Sequence, residues 1–278
     1  MEIKSVLLGI NRPVIMAIKI KTIWAYAIGA ISLTACSGEG EKYPTVNEVD
    51  VQGTARTSLD SPEPSQVQLD RRKKNTQRIK SMGLPVLESL PVIEDEKVIK
   101  PRDAQQVAKR SIATVICAVK GETLGKDEAL VKDLVKRYQA NKFFSPEEKL
   151  FIGNKSPEQQ EYIDHAWQYE CQHVYLWALG HIEKLNPPGT ICDVSNDVEA
   201  FQDQDVTNYI NKAKLRSTTE IFDMADYYYR LHWAAIELRI NNKETTKIDE
   251  GIIRERHRAL NWLIRYLDQD WDEVTTDT

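Results

Sequence analysis

The chain has 278 residues, of which 28% are charged and 41% apolar, with four cysteines and a formal net charge of −5. An acidic balance of this size excludes a general nucleic-acid binder, which needs a basic face to neutralise phosphates. The length suits one large domain or two small ones.

In chain order, Lys19 and Lys21 precede Ile23 to Ala35, an uncharged and mostly apolar run. A mature membrane helix needs roughly 20 apolar residues, so this shorter run reads as a removable signal rather than an anchor. It ends in Leu33-Thr34-Ala35-Cys36, which resembles the lipobox of bacterial lipoproteins. That resemblance implies that the Cys36 sulfur takes a diacylglycerol and that residues 1–35 are then cut away, leaving a protein held to the membrane by its lipid and palmitate-type acyl chains. By the same resemblance Ser37 implies outer-membrane sorting, facing the periplasm, if the cell is Gram-negative. Met16 opens a compact signal by itself and is the expected true start. Without residues 1–35 the charge becomes −8.

From 36 to 69 the chain is polar, with scattered valines and no period, and is expected to be a flexible tether. The domain, 70–278, reads as all-α: about seven to eight helices around a central apolar helix, with no alternating strand pattern and no internal repeat. Residues 70–82 form a first helix stopped by Gly83 and Pro85, and 103–119 form a second ended by Gly121. Leu130 to Tyr138 mark a third. Ser145-Pro146-Glu147-Glu148 and Ser156-Pro157-Glu158-Gln159 have the pattern of capping boxes with proline at the first helical position. The second should open a long helix to about Leu185, closed by Asn186-Pro187-Pro188-Gly189. A weaker helix is expected in 197–214, then two strong ones at about 216–241 and 249–267, the former apolar almost all round and therefore central.

Polar residues that interrupt the apolar stripes are the candidate site residues. Glu170 lies in the stripe of the long helix and Arg256 in that of the last. Each alone would be costly in a core, so the two are expected to form a buried ion pair. The competing arrangement gives Arg256 to Asp223 or Asp226. Arg254, Arg258, Asn261 and Arg265 occupy the opposite, solvated face of the last helix. The helix 216–241 carries a strip of Asp223, Asp226, Arg230 and Glu237, with Asp226 and Arg230 at i,i+4 spacing and His232 apart from it.

The stretches "WQYECQHVYLWALG", "DMADYYYRLHWAA", "ERHRALNWLI" and "WDEVTTDT" resemble the bacterial family called domain of unknown function 4272, over about residues 70–278. Gln168 stands where that family is expected to carry arginine. The resemblance implies a helical domain and brings no established activity, catalytic residue or cofactor.

Function is therefore read from sites. Glu170-x-x-His173 has di-iron ligand spacing but lacks the second copy such a site needs. His165, His173 and His181 recur every eight residues and so turn away from a common face. Cys117, Cys171 and Cys192 allow at most one disulfide, with Cys117 a buried small apolar residue. The basic run Arg71–Lys74, with Arg78 and Lys80, reads as a solvated face, with anionic lipid as the functional alternative. No metal or cofactor is expected. Two readings remain: an envelope lipoprotein whose helical domain binds another protein without catalysis, and a hydrolase or other enzyme using Asp223, Asp226, Arg230 and His232 as an acid/base pocket.

Overall fold

Ser65 and Gln68 set where the fold begins. The Gln68 amide donates to Ser65 Oγ and the Ser65 amide donates to Gln68 Oε1 at 2.8 Å, a reciprocal cap that starts α1 (Gln66–Ser81) ahead of the expected residue 70. The computed structural model describes residues 63–202 and 205–278. The expected signal, Met16, Cys36 and the tether up to residue 62 lie outside the described residues.

α2 (Ala104–Glu122) begins at Asp103, which caps it, and runs on through Gly121 rather than ending there. The reason is packing: a Cβ at Gly121 would stand 2.6 Å from both the Ala166 nitrogen and the Tyr162 oxygen, so glycine lets two helices touch backbone to backbone. From Ala108 to Glu122 every residue but Lys109 is buried. The helices α3 (Glu128–Arg137), α4 (Pro146–Gly153), α5 (Gln159–Trp167), α6 (Tyr169–Ala178) and α8 (Val206–Asn211) pack around it. The central position expected for α9 (Thr218–Ile240) thus belongs to α2. α9 packs chiefly between α1 and α10 (Glu250–Leu263), and its end is open, with Ile240 exposed.

The expected single helix to Leu185 is two helices. At Gln168 the amide bonds back three residues to the His165 carbonyl, and α6 starts from that tight turn. α6 then stops early, because Gly180 is left-handed at φ +78° and the His181 amide reaches back to the Leu176 carbonyl at 2.9 Å. Ser156 does not cap α5; Glu158 does, its amide bonded to the Glu161 carboxylate at 2.7 Å. The weak helix of 197–214 resolves into α7 (Val194–Gln202) and α8.

The face of α10 expected in water is covered in part: Arg254 is exposed as expected, but Asn261 is buried and Arg258 half-buried. Arg258 donates to the Trp271 carbonyl and Asn261 to the Thr275 carbonyl, because residues 269–278 fold back over the helix. Glu255 and His257 are buried as well, so Arg256 is not the sole polar group that α10 buries. The described residues hold helices and turns but no strand, and none of their helices is long and apolar enough to cross a membrane.

Candidate functional site

The acidic strip lies where α9 meets α1 and the 84–96 loop. Arg230 grips Asp226 with two bonds, Nη2 to Oδ1 at 2.8 Å and Nε to Oδ2 at 3.0 Å, and also donates to the Leu90 and Pro91 carbonyls. Asn75 of α1 donates to Asp226 Oδ2 at 2.9 Å and to the Asp223 carbonyl at 3.0 Å. Lys74 pairs with the Asp223 carboxylate, and Arg71, itself buried, pairs with Glu96. The basic run is therefore not simply a solvated face, since two of its four cations hold α1 to α9 and the loop. Asp226 is buried and already accepts from Arg230 and Asn75. That is the bonding of a structural clamp, in which each charge is matched.

His232 takes no part in this clamp. Its Nδ1 lies 3.1 Å from Nδ1 of His257, ring edge to ring face, on the α10 side of α9. Burial first, and then the His232 charge, push the His257 imidazole down to about 3, so it is neutral in the fold. Burial likewise lowers His232. The four candidate residues are thus split between two sides of α9, and no acid/base pocket assembles from them.

Glu170 and Arg256 meet. Arg256 Nη2 stands 2.7 Å and Nε 2.8 Å from Glu170 Oε2, with both side chains fully buried. Neither Asp223 nor Asp226 is bonded to Arg256. Its remaining donors go to Tyr228 Oη, and to the carbonyl and Oδ1 of Asn186, while Glu170 Oε1 accepts the Cys192 amide at 2.8 Å. The pair thus ties α6, α9, α10 and the loop after Asn186 together, and leaves no free lone pair pointing at solvent.

Glu170 and His173 do not share a ligand. His173 Nδ1 is 2.8 Å from Asp197 Oδ2, a pairing between α6 and α7 that spacing alone did not reveal. His165 stacks on Phe151 and His181 on Tyr209, each in a different part of the fold. Cys117, Cys171 and Cys192 are free and buried. Burial above all raises each thiol well above its ordinary value, which keeps all three protonated and poorly nucleophilic. Among the described residues no group of three or more His, Cys, Asp or Glu side chains is arranged to hold a metal ion.

An open groove of about 670 Å³ runs between the end of α9, the 241–249 loop and the start of α10, lined by residues including Leu238, Arg239, Lys243, Lys247 and Glu250. Arg239 and Glu250 pair across it, and Lys247 donates to the Met82 carbonyl at 2.6 Å. None of Asp223, Asp226, Arg230 or His232 lines it.

These features define an all-helical domain whose buried charges join helices to one another. The chain belongs to the family described as Domain of unknown function (DUF4272), whose family model matches residues 71–274. Neither a curated protein nor a solved structure matches the chain.

Proposed function

We propose that this protein is an envelope lipoprotein, anchored to the membrane through lipid on Cys36, whose helical domain binds another protein and performs no catalysis. In a Gram-negative cell Ser37 places it at the outer membrane, facing the periplasm. The observation that carries the anchor is the run Leu33-Thr34-Ala35-Cys36 behind a short apolar segment and two lysines. The non-catalytic reading is supported by the bonding of the acidic strip. Asp226 and Arg230, the residues an enzyme would need free, are spent on each other and on α1, and His232 faces the other way. Metabolic labelling with a palmitate analogue, followed by membrane fractionation, tests the anchor. Wild-type protein should carry label and sediment with membranes, whereas Cys36→Ser should lose the label and either leave the membrane fraction or accumulate as uncleaved precursor. A Cys36→Ser protein that is processed and fractionates like wild type would show the reading to be wrong.

A further inference from the structure

The segment 269–278 is bound to the helices as a peptide ligand is bound. The Trp271 indole sits between the guanidinium groups of Arg110, 4.9 Å from its ring centre, and Arg258, at 4.2 Å, with Tyr175 and Trp262 meeting it edge-on. Asp272 accepts the Glu147 amide at 3.1 Å in the first turn of α4, and Arg102 donates to the Gln269 carbonyl at 2.7 Å. Aromatic anchor, charge-matched rim and main-chain bonds together make a complete docking site.

The connection that returns the segment to this site is strained. Arg265, Leu267 and Asp268 all lie in the left-handed region, at φ of 57°, 51° and 51°, and of the three only the aspartate is a residue type that tolerates it. Leu267 is 64% exposed, so no packing compensates it. Arginine and leucine are good helix formers, and a side chain in the left-handed region clashes with its own backbone. The local preference of this turn is to continue α10 as a helix, and it is held otherwise by the docked segment together with Arg102, which donates to the Trp262 and Leu263 carbonyls, and the Arg265 bond to Gln106. A short strained hinge carrying a well-bound segment is the arrangement that favours exchange between copies.

We infer that residues 269–278 exchange between two copies of this chain, with α10 continuing through 265–268 and Trp271 of each copy filling the Arg110–Arg258 site of the other. The docking contacts of 269–278 are the same in both forms, so the balance is set at the hinge, where a continued α10 competes with Arg102 for the Trp262 and Leu263 carbonyls and moves Arg265 away from Gln106 and Asp268. Opening relieves three left-handed residues per chain, and association entropy opposes it.

Glu147→Cys with Asp272→Cys, in the full chain in its membranes, reads the exchange directly. Oxidation should join the two positions within one chain if the segment docks at home, and between chains if it is exchanged, as separated on a denaturing gel without reductant. A covalent dimer is expected that is absent from either single-cysteine control. Leu267→Ile, whose β-branched side chain still fits a helix and is worse than leucine's at positive φ, should raise the dimer fraction. Leu267→Gly, which tolerates it, should lower the dimerisation constant by about thirtyfold, the factor for one relieved residue in each of two chains. Both substitutions fall on an exposed side chain and spare the docking site. Absence of a chain-to-chain product in the Leu267→Ile form, or a dimer fraction that neither hinge variant changes, overturns the inference.

Discussion

Arg256 and Glu170, 86 residues apart in sequence, stand 2.7 Å apart in the core with neither side chain exposed. Breaking one partner of such a pair strands the other charge, at a cost of about 3–5 kcal/mol, whereas replacing both with apolar residues removes the problem. Glu170→Ala and Arg256→Ala should each fall in that range, with Arg256→Ala the worse because it also orphans Asn186 and Tyr228. Urea unfolding of the two single variants and of a Glu170→Leu, Arg256→Met double variant checks this. The double change should cost much less than the sum, and additive losses would mean the two charges are not coupled.

Gly121→Ala sets helix propensity against packing. Alanine in a helix interior is favoured by about 1 kcal/mol, but the new methyl would meet backbone atoms of α5 at 2.6 Å. Backbone yields less readily than a side-chain tip, so overpacking should win and leave a net loss of about 1–2 kcal/mol. A thermal melt unchanged or raised by the substitution would contradict the close approach of α2 and α5.

Lys120 is the buried cation that closes α4. Its ammonium donates to the carbonyls of Phe151, Ile152 and Asn154 at 2.5, 3.1 and 2.6 Å, at the negative end of the helix. Lys120→Met keeps the aliphatic bulk but removes all three bonds, and should destabilise by about 2–3 kcal/mol. Faster hydrogen exchange of the α4 amides is the local sign to look for, with exchange in α9 unaltered below the global unfolding limit.

Acid should weaken this fold through its histidines. His257 has its folded value pushed down to about 3 from 6.5, chiefly by burial, and burial also lowers His165, His181 and His232. The unfolded chain takes up these protons near pH 6.5 and the folded chain does not, so the stability they allow is present above that pH. It is lost as pH falls from about 6.5 towards 3, at about 1.4 kcal/mol per pH unit for His257 alone. Unfolding free energies at pH 7.0, 5.5 and 4.5 should decline, and His257→Gln should flatten the decline. An identical slope in that variant would assign the acid sensitivity elsewhere.

Local chemistry made several helix ends legible. Ser145-Pro146-Glu147-Glu148 caps α4 as its spacing suggests, and Gly83 stands just beyond the end of α1. Other local signals pointed the wrong way because tertiary packing overrode them. Gly121 has the look of a stop, yet it is the contact point of two helices. Gly180 sits inside an apolar run, yet its left-handed backbone ends α6. The helical period turns Arg258 and Asn261 towards water, and the 269–278 segment bonds to both.

By itself the sequence determined the all-α class, the family, Glu170 and Arg256 as charges that had to be matched inside, and the order of most helices, because period and capping are written in residues three and four apart. Which partner each buried charge found, and that His232 turned to His257 and away from Asp226, were decided only when helices distant in sequence packed together. A helix fixes the direction of a side chain, but the neighbour waiting there is supplied by the rest of the fold.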